Sequence, residues 1–132
     1  MIVDPVGGTA PAVAVSFLDT LGAREFARLS SCLGDDVRMR ALLPSGVCDS
    51  QGAAAVTDRF RSWFADAAEF QLVDSGVDRI GPLLSLRWRL RVRFSPRSPR
   101  LHVVEQLAYV HAPDRIRRLD LLCSGFHGDG HG

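Results

Sequence analysis

Apolar residues return at intervals of three and four over residues 11–21, where Ala14, Phe17, Leu18 and Leu21 mark one face of a helix. Thr9 is placed to cap it, Pro11 suits its first turn, and Gly22 interrupts the pattern. A second short helix is predicted over 24–33, with Phe26, Leu29 and Leu33 inward and Gly34 as its C-cap. The period then changes to two. Val37, Met39 and Ala41 alternate with Arg38 and Arg40, which predicts a strand over 37–43 that ends before Pro44, and 44–52 reads as loop. A third helix is predicted over 53–65, with Val56, Phe60, Trp63 and Phe64 on its apolar side and Asp58, Arg59, Arg61 and Ser62 on the wetter one. Strands follow over 69–80, 83–94, 101–111 and 116–126, separated by Gly81-Pro82, by Ser95-Pro96-Arg97-Ser98-Pro99 and by Ala112-Pro113-Asp114-Arg115.

Side-chain direction is sharpest in the strand 83–94. Leu86, Trp88, Leu90, Val92 and Phe94 alternate with Arg87, Arg89, Arg91 and Arg93, so the apolar set faces inward and the arginines outward. In the last strand Leu119, Leu121 and Cys123 form the more apolar face. The strand 101–111 has two half-apolar faces: His102, Val104, Gln106, Ala108 and Val110 against Leu101, Val103, Glu105, Leu107 and Tyr109. Such a strand suits a sheet with a cavity on one side and a second sheet on the other. The element order predicts an α+β domain in which helices cover one face of a curved, mostly antiparallel sheet.

Composition narrows the chemistry. The 132 residues, 46% hydrophobic and 23% charged, suit one domain, and a net charge of +1 provides no global field for nucleic acid or an anionic membrane. All 16 cationic residues are arginine, which excludes Schiff-base lysine chemistry and a P-loop lysine. Cys32, Cys48 and Cys123 lack metal-ligand spacing and read as reduced thiols, and the first residues lack a basic, apolar leader, so a cytoplasmic chain without cofactor or metal is expected. The arginine stripe is spaced near a phosphate repeat, since alternate residues lie ~6.6 Å apart, but Glu105, Asp120 and Asp78 are available to neutralise it. His127, Asp129 and His131 are metal-suited residue types in a glycine-rich run, which reads as a flexible tail over 127–132.

The opening AVAVSFLDTLGAREFARLSSCLGDDV, the helix QGAAAVTDRFRSWF and the strand pair HVVEQLAYVHAPDRIRRLDLLCSGF resemble the nuclear transport factor 2-like superfamily, in its SnoaL-like branch. The resemblance spans about residues 11–126, with 10–126 read as a single domain and 1–9 as a leader. It implies a cone-shaped curved sheet packed by three helices from the N-terminal half, an internal cavity, and frequently a homodimer through the sheet. In ketosteroid isomerase, a member of the superfamily, a tyrosine and two aspartates carry the reaction. Their positions fall at Phe17, near Ala41 and at His102, so the steroid-isomerase mechanism does not carry over.

The resemblance turns His102 and Gln106 inward. An imidazole in an apolar cone can accept or donate a proton near neutral pH, which makes His102 the candidate acid/base, with Gln106 near it as an orienting, ligand-contacting hydrogen-bond group. Phe17, Phe60, Trp88, Leu119, Leu121 and Cys123 are the expected ligand-contacting wall. The expected function is binding of a hydrophobic, natural-product-type small molecule, with proton transfer in cyclisation, isomerisation or dehydration as the chemistry open to it. The alternative is a noncatalytic, homodimeric ligand-binding or protein-interaction module of the same fold.

Overall fold

The computed structural model describes residues 11–98 and 100–128. Helix α1 (Ala12–Gly22) starts at Pro11, and the predicted Thr9 cap lies outside the described residues. Its face of Ala14, Phe17, Leu18 and Leu21 is buried, as the spacing predicts. Helix α2 (Phe26–Ser30) is shorter than expected at both ends. Arg24 takes a left-handed backbone (φ 54°) between the helices, and Leu33 and Gly34 open strand β1 (Leu33–Leu43) instead of closing a helix. Strand β2 (Gly46–Gln51) occupies most of the segment predicted as loop and pairs antiparallel with β1. Helix α3 (Ala53–Phe64) follows, with Val56, Thr57, Phe60 and Phe64 buried.

Strands β3 (Glu69–Ile80), β4 (Leu83–Arg93), β5 (His102–His111) and β6 (Ile116–Cys123) form an antiparallel meander. The sheet order is β2-β1-β6-β5-β4-β3, and β1 lies parallel to β6 at the seam. The expected final strand is interrupted after Cys123, where Ser124 donates its backbone N–H to Glu105 O (2.9 Å) and its hydroxyl accepts the Glu105 N–H (2.9 Å). Beyond Gly125 the chain returns to the sheet as a short strand, β7 (His127–Gly128), paired with the start of β5. The part of the predicted tail that is described is therefore hydrogen-bonded sheet, because β6 leaves the first residues of β5 unpaired; residues 129–132 lie outside the described residues.

The register settles the ambiguous strand. Trp88 pairs with Gln106, Leu90 with Val104 and Val92 with His102, so the even-numbered residues of β4 and β5 share the concave face. Helix α1 lies against β3 and α3 against β1 and β2, which encloses that face in a three-helix, seven-strand α+β layer structure. A bulge at Val73 in β3, between the paired Leu72 and Asp74, adds to the sheet's curvature. On the convex face Arg87 pairs with Asp78 (3.3 Å), Arg89 with Glu105 (2.7 Å) and Arg93 with Glu69 (2.9 Å). Contact with the Glu105 carboxylate holds the Arg89 guanidinium above its ordinary pKa. No helix among the described residues is long and apolar enough to cross a membrane.

The turn at Gly125 is tightly packed against the Pro44 ring. Its φ of 80° suits glycine, and a Cβ there would lie 2.7 Å from the Pro44 ring. Gly125→Ala should cost about 2–4 kcal/mol in urea unfolding, the sum of a left-handed backbone penalty and overpacking. Gly81→Ala, at φ 59° with open space around it, should cost only about 1 kcal/mol, and equal losses at the two positions would refute the clash.

Candidate functional site

The middle of the concave face is aromatic. The Phe17 ring of α1 lies 5.7 Å from Phe60 of α3 and 5.7 Å from Trp88 of β4, while Phe60 and Trp88 are 6.4 Å apart. These three expected wall residues pack on one another and fill the centre of the cone. Leu119 and Leu121 of β6 are fully buried below them, and Ala41 and Ala108 leave the floor low on either side of Leu121. Cys123 stands opposite Gln106 and is half-buried, its Sγ accepting the Gly125 N–H at 3.4 Å.

Gln106 is engaged with the indole. Trp88 Nε1 donates to Gln106 Oε1 at 2.7 Å, with both side chains almost wholly buried. His102 and Gln106, expected near one another in the cone, are not in contact. The two residues are four apart on one strand, about 13 Å, with Val104 between them on the same face.

His102 sits nearer the rim instead. Its ring is 5.6 Å from Phe94, which is 4.8 Å from Phe126, and Phe126 in turn reaches Phe64 at 6.4 Å. Phe64 continues to Phe70 at 5.4 Å, so a file of aromatic rings runs from the buried core to half-exposed Phe94 and Phe126. The β7 strand backs His102 through its pairing with Gly128. His102 Nδ1 is buried and has no hydrogen-bond partner, and the same holds for Thr57 Oγ1 on α3. An unmet buried polar atom costs about 1–3 kcal/mol, which a ligand or water would recover. Phe126 was missed as a site residue because its approach depends on the turn at Gly125. The only signal in the sequence was the glycine in CSGF.

Asp19 is exposed, and the Thr20 hydroxyl donates to Ser16 O (2.8 Å) or Phe17 O (3.0 Å) within its own helix. Among the described residues, no group of histidine, cysteine and carboxylate side chains is arranged to hold a metal.

Neither a protein-family model nor a curated protein sequence matches the chain. Solved structures do match. A protein with a ketosteroid isomerase-like fold from Catenulispora acidiphila, in complex with trimethylamine, superimposes with a TM-score of 0.70 at 10% identity over 86% of this chain and 85% of that one. A nuclear transport factor 2-like protein of unknown function from Exiguobacterium gives 0.64 at 14% identity, covering 86% and 99%. The chain has the nuclear transport factor 2-like fold. A polyketide cyclase-like protein from Xanthomonas campestris also matches this fold, with a TM-score of 0.66 at 17% identity over 83% of this chain and 86% of that one. Within the nuclear transport factor 2-like fold, the concave face described above is the one that helices cover, and the ion-paired arginines lie on the other.

Among the three thiols, Cys32 is the deepest. Burial raises its pKa, against the opposing effects of the Thr20 hydroxyl and the Arg28 charge. The folded state thus keeps this thiol protonated where the unfolded chain ionises it, so stability conferred by Cys32 is lost as pH rises above the unfolded thiol's ~8.5. Iodoacetamide at pH 8 should alkylate Cys48 and Cys123 well before Cys32. Equal labelling rates in the native chain would show Cys32 to be accessible.

Proposed function

We propose that this protein binds a hydrophobic, ring-containing small molecule at the mouth of its cone and that His102 exchanges a proton with it. The observation that carries the proposal is the buried, unpartnered Nδ1 of His102 at the end of the Phe64–Phe126–Phe94 file. A polar atom with unmet capacity beside aromatic faces fits a ligand that is mostly apolar and carries one hydrogen-bonding group. Proton transfer in cyclisation, isomerisation or dehydration is the matching chemistry, and the polyketide cyclase-like and ketosteroid isomerase-like neighbours are in keeping with it. Phe17, Phe60, Trp88, Leu119 and Leu121 then act as the packed floor on which the ligand rests. A cytoplasmic setting, in which three thiols stay reduced, belongs to the same proposal.

A second proposal concerns the convex face, where a row of apolar residues crosses four strands: Val47, Leu42, Leu122 and Leu107, in register. Leu42 is 49% and Leu122 47% exposed, and Tyr109 stands beside them. Beyond Leu107 a recess of about 500 Å³ continues the row between Arg87, Arg89, Glu105 and Ser124. A second copy of the chain would cover this row, with the ion-paired arginines as a polar rim.

Native mass spectrometry of the full chain, incubated with a metabolite extract of the producing cells, should retain a small molecule, and an unloaded spectrum would count against the cone proposal. With that molecule in hand, His102→Gln should lower turnover about 100-fold or more while leaving affinity within a few-fold, because glutamine retains hydrogen bonding without basicity. Unchanged turnover would make His102 structural. For the convex face, sedimentation at tens of micromolar should show a dimer that Leu122→Asp converts to monomer. A wild-type monomer at that concentration overturns the second proposal.

A further inference from the structure

The charges of the convex face do not cancel everywhere. Arg38 of β1 and Arg118 of β6 are Cα partners in the parallel seam, and both stand on the exposed side, since Val37, Met39 and Leu119 beside them are buried. Two guanidinium groups in register on strands ~4.8 Å apart repel one another. Arg118 finds relief in Asp120 at 3.0 Å. Arg117 is paired with Asp36 at 3.3 Å, and Arg40 more loosely with Asp49 at 3.8 Å. Each of these aspartates is therefore engaged, while Arg38 has no ion pair among the described residues. All four arginines and all three aspartates line one recess of about 400 Å³, so its formal charge is +1 and the surplus lies on Arg38. Gln51 of the edge strand β2, the Cα partner of Arg38 on its other side, lines the same recess. The row Gln51–Arg38–Arg118 thus sets hydrogen-bond donors on three neighbouring strands around one hollow that holds one carboxylate too few.

We propose that this recess is a binding site for the dianionic phosphoryl group of a small phosphomonoester, held jointly by Arg38 and Arg118 with Gln51 donating at the edge. A dianion between the two guanidinium groups turns their repulsion into two attractions, and the planar forks of arginine suit the bidentate hydrogen bonds that phosphate oxygens accept. A carboxylate brings half the charge and fewer acceptor oxygens, so it binds more weakly. Nucleic acid is disfavoured by the same inventory, because Asp36, Asp49 and Asp120 would face the phosphates on either side of the first. The recess has the size of an ordinary small-molecule site, with room for an organic body beside the phosphoryl group. It opens on the face of the sheet opposite His102 and does not depend on the cone proposal. Arg38 also lies four residues, about 13 Å, from Leu42 in the apolar row, which sets it apart from the centre of the proposed contact between copies.

The test is calorimetry of the full chain in phosphate-free buffer at low salt and at a pH of about 8, where a phosphomonoester is a dianion. Phenyl phosphate should saturate one site per chain, with benzoate at least about tenfold weaker. Arg38→Gln and Arg118→Gln should each lower the phenyl phosphate affinity about tenfold or more, whereas Arg87→Gln, at an ion-paired arginine elsewhere on the convex face, should leave it within about twofold. Both site variants replace exposed side chains, and Arg38→Gln removes a like-charge contact, so it should unfold at no lower urea concentration than the wild type. No saturable binding of phenyl phosphate, equal affinity for benzoate, or an equal loss in Arg87→Gln overturns the site, the last by showing a diffuse effect of net charge. Short duplex DNA binding more tightly than phenyl phosphate also overturns it, in favour of a nucleic-acid surface. A change of oligomeric state in Arg38→Gln does the same, because a carboxylate from a second copy would then be the occupant.

Discussion

The contact of Phe17, Phe60 and Trp88 joins two helices to the sheet, since one ring comes from α1, one from α3 and one from the middle of β4. Aromatic side chains bury a large area with little rotamer freedom to lose, so a three-ring contact sets the distance between helices and sheet more firmly than aliphatic packing would. The depth of the concave face depends on that spacing. It also holds the Trp88 indole where its N–H meets Gln106, and so a packing interaction determines the orientation of a polar group. Arg24 secures the same layer from outside. Its guanidinium donates to Phe64 O (3.1 Å) and Ala67 O (2.9 Å) at the end of α3 and lies 5.1 Å from the Phe70 ring centroid. Satisfying those carbonyls offsets the backbone strain that Arg24 carries at φ 54°.

How much could be read from the chain differs element by element, for identifiable reasons. The four outward arginines of β4 mark its faces unambiguously, because a guanidinium column on the helix-packed side would be prohibitively desolvated. β5 offers no such contrast, since Val103 and Leu107 oppose Val104 and Ala108, and only its register with β4 assigns His102 and Gln106 to the concave side. β2 reads as loop because GVCDSQ lies at a sheet edge with neither face deeply buried, so period two never develops. Likewise, α2 reads long because Leu33 keeps helical spacing with Phe26 and Leu29, although its backbone is taken by pairing with Ile116.

The site was legible in its inventory more than in its arrangement. Phe17, Phe60, Trp88, Gln106 and His102 all lie on the concave side, yet residue type alone does not reveal that Gln106 partners Trp88 or that His102 sits among the rim phenylalanines. These are tertiary facts, set by strand register and by the turn at Gly125 that returns Phe126 to the rim. A polar residue in an apolar pattern therefore indicates where chemistry can occur, while the register decides which polar residues act together.

The parallel seam between β1 and β6 has a kinetic consequence. Strands β3 to β6 form a meander of near neighbours in the chain, each paired through a short connection. β1 must instead dock beside β6 after almost the whole domain has been traversed, with Leu33 beside Ile116 and Ala41 beside Leu121. Closing a loop of that length costs entropy before any contact repays it, which gives the domain high contact order at this one place. The meander is consequently the natural nucleus, and arrival of β1 with its hairpin partner β2 is the late step that completes the sheet.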